Sequence, residues 1–184
     1  MAHRLRIHHS ARGISYTPDK KYVAARTCTL YAFPMAHTYT QIHIQVVFAV
    51  EGRQNLIRSE FREEVQKYIS GIVRMRDQKL LAIYCMPDHT HLLVGLRPDL
   101  ALSTLVQAIK DGSTDFVNRR RWFAGRFGWQ GGFGAFSYGH SQIDRVVRYI
   151  RNQPAHHARM GFRAEYLQLL RRFGIQYDEK LIFQ

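Results

Sequence analysis

LLAIYCMPDHTHLLVGL, residues 80 to 96, reads as two apolar runs that meet at a proline. Pro87 has no amide hydrogen and a fixed φ, so it cannot sit inside a sheet ladder. With Asp88 it marks the junction between a strand LLAIYCM (80–86) and a strand HLLVGL (91–96). Strand side chains alternate faces, so His89 and His91 point to one side, with Asp88 and Thr90 on the other. Two imidazoles aimed at one spot can hold a divalent metal; equally, they can be polar residues on a solvated strand face.

Outward from this pair the pattern is regular. TQIHIQVVFAV (40–50) alternates, with Ile42, Ile44, Val46, Phe48 and Val50 on one face, and predicts a strand. Phe61, Val65, Tyr68, Ile69 and Ile72 follow helical spacing after Ser59, which is expected to be the N-cap. Leu102, Leu105, Val106, Ile109, Phe116 and Val117 predict a second amphipathic helix. Within the glycine-rich GRFGWQGGFGAFSYGH (125–140), FGAFSY reads as a short strand, and Gly131, Gly132 and Gly134 read as turn-makers. Ile143, Val146, Val147 and Ile150 predict a third helix; Phe162, Tyr166, Leu169, Leu170 and Phe173 predict a fourth, closed by Gly174. The order βαββαβ followed by helices is that of an α+β, ferredoxin-like antiparallel sheet with two helices on one face. The other face is then open or covered by the C-terminal helices.

A chain of 184 residues suits one domain with a tail. Residues 1–34 have no clear period and carry six Lys/Arg against one acid, so they are expected to be a basic N-terminal extension to a single domain at 35–184. No apolar run approaches the ~20 residues of a membrane span, and no apolar secretory core follows the N-terminal arginines. Cys28 and Cys85 are far apart and form neither a disulfide framework nor a zinc motif, so a reducing cytoplasm is the expected location. The formal charge of +13 makes a polyanion the expected partner, nucleic acid first. Arg119, Arg120, Arg121 and Arg126 cluster among Trp122, Phe123, Phe127 and Trp129. Arginine for phosphate and aromatics for unstacked bases together suit single strands, whereas the plainer reading is a helix-end charge cluster beside core aromatics.

RVVRYIRNQPAHH, residues 145 to 157, adds a second group of chemically capable residues. Tyr149 and Gln153 are four apart and share a helix face at the edge of the apolar stripe, among Arg145, Arg148 and Arg151. A phenol can attack a phosphodiester, an amide oxygen can join a metal's ligands, and arginines hold phosphates. A boundary tyrosine half-buried at a helix edge is the alternative.

MPDHTHLLV (86–94) followed by YIRNQ (149–153) resembles the single-tyrosine HUH transposases of bacterial insertion sequences, including their relatives that act on repetitive extragenic palindromes. VVFAVEGRQNLI (46–57), the stretch from Trp129 to His157 and RRFGIQYDEKLIF (171–183) extend the likeness through nearly all of residues 40–184. The resemblance implies that His89 and His91 bind Mg²⁺ or Mn²⁺, that Tyr149 is the nucleophile and that Gln153 completes the metal site. It implies cleavage and rejoining of single-stranded DNA at hairpin-marked ends through a 5′-phosphotyrosine. It further implies a homodimer in which one subunit's tyrosine helix can serve the other's histidines. The basic set Arg119, Arg120, Arg121, Arg126, Arg145, Arg148 and Arg151 would bind the DNA. Two features depart from the pattern. Thr90 stands where a bulky apolar residue is usual, and Pro154 is expected to kink or end the helix so that Gln153 can swing from Tyr149's face, with His156 or His157 able to substitute. The competing expectation is a non-catalytic hairpin-binding protein on the same fold.

Overall fold

The computed structural model describes residues 38–182; the extension expected at 1–34 lies outside the described residues. Strand β1 (Ile42–Ala49) is followed by helix α1 (Ser59–Met75), the hairpin β2 (Lys79–Cys85) and β3 (His89–Leu96), helix α2 (Leu102–Arg120) and strand β4 (Gly134–Tyr138). Helices α3 (Ile143–Arg151), α4 (Gln153–His157), α5 (Phe162–Arg172) and a last turn at Glu179–Ile182 complete it. The four strands pair antiparallel in the order β2-β3-β1-β4, the ferredoxin-like arrangement expected from the element order.

The alternation of β1 and β3 sorts their side chains onto two faces. Val46, Phe48, Leu92 and Val94 face α1 and α2, packing with Val65, Ile69, Val73, Leu105, Val106 and Ile109. Val47, Ala49 and Leu93 face the other way and pack with Val146, Ile150, Phe162, Leu169 and Leu170 of the C-terminal helices. The second face is therefore covered, and the histidine pair lies on that covered side.

Several local expectations change. Ser59 is the first helical residue rather than the cap; Arg58 holds the cap position without a side-chain hydrogen bond. Gly132 does take a turn conformation at φ +73°, but Gly134 opens β4 and is needed for contact. A Cβ there would lie 2.8 Å from the Tyr166 ring. The expected base-stacking aromatics belong to the core. Phe127 is fully buried, Trp122 stacks on Phe61 with ring centroids 4.3 Å apart, and Trp129 packs edge-on against Phe48 while donating its indole N–H to Ser113. Phe127 has no face left for a base, and the partly buried Trp122, Phe123 and Trp129 pack against the same core cluster.

Leu92 and Leu93 are both fully buried, one on each face of β3. Leu92→Ala and Leu93→Ala should each cost about 2–5 kcal/mol in denaturant unfolding. A loss below about 1 kcal/mol for Leu93→Ala alone would mean that the C-terminal helices do not seal the second face.

Candidate metal centre and nucleophile

The turn that starts β3 is tied down by its backbone. Met86 N–H donates to His89 O, while Pro87 O and Asp88 O accept from Ile57 N–H and Val50 N–H. Register places His91 opposite Val47 and Tyr84, and His89 opposite Ala49. Both imidazoles are fully buried. Alternation begins only inside the strand, so the expectation that Asp88 points away from His89 fails. Asp88 lies in the turn, and its Oδ1 is 2.7 Å from His89 Nδ1. Arg53 supports the same carboxylate at 3.5 Å. His91 Nδ1 lies 3.1 Å from the Gln45 amide, whose oxygen accepts from the Tyr138 hydroxyl at 2.9 Å. As placed, the Gln45 amide nitrogen donates to His91 Nδ1; with that amide turned over and the Tyr138 hydroxyl accepting, the same chain would hold Nδ1–H and leave Nε2 free for a metal. Each histidine is thus held at Nδ1 and presents Nε2, the arrangement that orients imidazoles toward a metal.

Helix α3 packs over β2 and β3 and brings Tyr149 above the pair, with Tyr149 and His91 ring centroids 5.9 Å apart. Pro154 does break the helix: α3 ends at Arg151, and α4 restarts at Gln153 with the proline in its first turn, where a missing N–H costs little. Gln153 nevertheless stays with Tyr149. It is fully buried, and its Nε2 donates to Glu165 Oε1 at 2.9 Å, the same oxygen that accepts the Tyr149 hydroxyl.

Glu165, on α5, is the residue that sequence reasoning missed. It lies three residues after Phe162 and one before Tyr166, on the apolar stripe of its helix. An acid on a buried stripe is the signal that could have found it. Its Oε2 lies 3.0 Å from His157 Nε2, 3.3 Å from His91 Nε2 and 3.8 Å from His89 Nε2, while Oε1 lies 3.3 Å from His156 Nε2. His89, His91, His157 and Glu165 each offer one donor atom, all within 4.8 Å of one another, so the group could hold a metal ion. The chemistry fits. Nε2 of these three histidines and of His156, Oε2 of Glu165 and Oε1 of Gln153 are buried without a well-aligned hydrogen bond; the close approach of Glu165 to the imidazoles offsets part of that cost, and a cation would offset more.

Electrostatics follow burial. Desolvation pushes His89 down to about 4 against the opposing hydrogen bond to Asp88, so the imidazole is neutral. Burial alone would raise Glu165, but the His157 and His91 imidazoles beside it outweigh that and hold the carboxyl below its usual range. Burial first, and the Glu165 charge second, raise the Tyr149 phenol above its ordinary value.

Of the basic residues, Arg145 and Arg148 are exposed on α3 beside Tyr149, and Arg151 is exposed near the end of the same helix. Arg119, Arg120 and Arg121 lie at the end of α2, across the sheet from the histidines, where Arg120 pairs with Glu64 at 3.0 Å; Arg126 is exposed in the loop before β4.

The family of IS200-like transposases matches residues 38–153. The chain belongs to that family. Its relatives in sequence include the transposase of insertion sequence IS200 from Salmonella typhimurium, 25% identical over 80 residues (44% of this chain, 53% of that one). The ISDra2 transposase TnpA of Deinococcus radiodurans is 25% identical over 73 residues (40% of this chain, 52% of that one). The chain therefore spans about half the length of these relatives. Two solved structures share the fold. One, described as a candidate transposase from Deinococcus radiodurans R1, aligns with a TM-score of 0.51 at 21% identity, over 64% of this chain and 94% of that one. The other, a REP-associated tyrosine transposase bound to a REP hairpin, aligns at 0.50 and 19%, over 66% and 72%. His157 and Glu165 lie beyond the family match. Among the described residues, no helix is long and apolar enough to cross a membrane.

His89 titrates near 6.5 when unfolded and near 4 when buried, so folding disfavours its protonation. The neutral ring's contribution is present above the unfolded value and lost as pH falls from about 6.5 toward 4. With chelator present, unfolding free energy should drop across that window by up to on the order of 3 kcal/mol, and His89→Asn should flatten the drop. An unchanged slope in His89→Asn would show that other groups carry it.

Proposed function

We propose that this family member cleaves and rejoins single-stranded DNA at hairpin-marked ends, with Tyr149 as nucleophile and a divalent cation, Mg²⁺ or Mn²⁺, at the His89/His91 pair. The observation that carries the reading is convergence: the Tyr149 hydroxyl, the Gln153 amide and the inward nitrogens of both histidines meet around one carboxylate. In the reaction, the Tyr149 oxygen attacks the scissile phosphorus and loses its proton, and the bond to the 3′-oxygen breaks. The DNA 5′-phosphate is then esterified to tyrosine and a 3′-hydroxyl is free. A 3′-hydroxyl attacking the link reverses the step, so bond energy is conserved without a nucleotide cofactor. A bound cation would supply neutralising charge for the phosphate and for Glu165 beside the phenol, helping a nucleophile whose ordinary pKa is ~10. Gln153, the expected third ligand, has a buried Oε1 without a hydrogen-bond partner and so retains an acceptor to offer.

The substrate strand has a path. A cleft of about 300 Å³ borders Tyr149, lined by Arg145, Gln168 and Arg172 among others. A second cleft of about 530 Å³ also borders Tyr149, with Arg145, Arg148 and Arg159 in its lining. Both clefts include Tyr149, His156 and Arg145, so a strand lying in them would pass the phenol beside several arginines. Arg119, Arg120, Arg121 and Arg126 would meet a different part of the DNA.

The supporting geometry also favours a site complete within one chain, in place of the shared sites that the resemblance implies. Tyr149 lies beside its own chain's His91. Mixing His89→Ala chains with Tyr149→Phe chains should restore no cleavage; restored activity would establish exchange of tyrosine helices between subunits.

The decisive assay incubates the protein with hairpin-bearing single-stranded DNA and Mn²⁺ and looks for a protein–DNA band that survives SDS. Tyr149→Phe should lose the band and keep hairpin binding. Retained binding with no adduct in Mn²⁺ or Mg²⁺ would favour the non-catalytic hairpin binder. Arg145→Ala and Arg172→Ala should each flatten the salt dependence of single-strand binding by about one ion and slow cleavage at saturating DNA.

A further inference from the structure

The family match ends at residue 153, yet the atoms that surround the histidine pair from above come from later in the chain. Two features of that segment are not explained by the reaction alone. Glu165 is an acid with 2% side-chain exposure on the apolar stripe of α5, where an unpaired charge is strongly disfavoured. Pro154 interrupts the tyrosine helix and starts α4, whose last residue is His157. The break lets the chain present the two adjacent histidines to different neighbours. His156 lies against Tyr149, with ring centroids 5.3 Å apart, whereas His157 lies against His89 at 4.6 Å.

The two oxygens of Glu165 face different groups. Oε1 takes the hydrogen bonds of Tyr149 and Gln153. Oε2 lies 3.0 Å from His157 Nε2, 3.3 Å from His91 Nε2 and 3.8 Å from His89 Nε2, within ion-pair reach of all three but without a well-aligned hydrogen bond to any. Four buried donor atoms turned toward one point is the arrangement expected of ligands around an ion. His89 and His91 are already oriented from behind by Asp88 and Gln45.

We propose that the cation of this centre is held by His89, His91, His157 and Glu165, so that half of its donors come from the C-terminal segment, which it fastens to β3. This deepens the functional reading and rests on its cation dependence. It assigns Gln153 to positioning Glu165 rather than to the ion. Three imidazoles with one carboxylate suit Mn²⁺, Fe²⁺, Co²⁺ or Zn²⁺ better than Mg²⁺, which prefers an oxygen shell.

The test uses the full chain, stripped with chelator and titrated with Mn²⁺, reading free ion by electron paramagnetic resonance. Wild type should bind one ion, Tyr149→Phe should bind it within about threefold of wild type, and His89→Ala should lose it. His157→Ala and Glu165→Gln should each weaken binding by about tenfold or more, and Gln153→Ala by less than about threefold. Amide exchange across Phe162–Arg172 should slow on Mn²⁺ addition in wild type and not in Glu165→Gln. Circular dichroism in chelator checks folding, and Glu165→Asp, which keeps the charge but shortens its reach, replaces Glu165→Gln should that variant unfold. Wild-type affinity in both His157→Ala and the Glu165 variant overturns the ligand set. So does loss of binding in Gln153→Ala while those two retain it. If the covalent adduct still forms under either outcome, the strand-transfer reading survives. A wild-type chain that binds no Mn²⁺, yet forms the adduct in chelator, overturns the cation dependence itself.

Discussion

A single buried carboxylate organises the histidine-bearing face of this molecule. Glu165 reaches from α5 to β3 through His89 and His91, to α3 through Tyr149, and to α4 through Gln153, His156 and His157. Removing one partner of a buried charge typically costs 3–5 kcal/mol, because the remaining charge has no water to turn to. The C-terminal helices are therefore fastened to the sheet by polar contacts as well as by the apolar cluster around Phe162, Leu169 and Leu170. The same contact restrains the chemistry. Burial and the adjacent negative charge both raise the Tyr149 phenol above its ordinary value. Positive charge brought to the other side of Glu165 acts in the opposite direction.

The histidines are placed by elements that leave little freedom. Their spacing is set by the two-residue period of β3, and the strand is paired on both sides, to β1 and β2. Tyr149 belongs to a helix whose Val146 and Ile150 are buried against the same face. Sites carried on packed strands and helices hold their geometry better than sites on loops, and water exclusion raises the worth of every charge within them.

Much of this was legible in the sequence, for a physical reason in each case. The HTH pair reads correctly because strand periodicity fixes relative direction, and RVVRYIR reads correctly because helical periodicity puts Tyr149 at the edge of a buried stripe. Glu165 escaped because amphipathic patterns are traced through apolar residues; Phe162, Tyr166, Leu169, Leu170 and Phe173 complete a stripe without it, and its burial depends on partners distant in sequence. Asp88 was assigned to the wrong side because the alternation was carried one residue into a turn. The aromatics around Arg119–Arg121 were weighed as a base-stacking surface because composition cannot distinguish a ring offered to solvent from one stacked on Phe61. Gly134 is a packing glycine whose reason, the Tyr166 ring, lies on another element.

Pro154 shows how a departure from the expected motif can serve the site. On one unbroken helix, residues advance about 100° each, so His156, seven after Tyr149, would lie within about 20° of its direction, and His157 about 80° away. Tyr149 and His156 do remain neighbours. His157 must reach the β3 pair, and the chain achieves this by ending α3 at Arg151, turning at Asn152 and beginning a new helix whose first turn tolerates the proline. Gln153 is the first residue of that new helix, which keeps its amide at Glu165 while the following residues change direction. A substitution that restored continuous helix would therefore not repair the motif. It would separate His157 from His89 and leave Glu165 Oε2 facing two imidazoles in place of three.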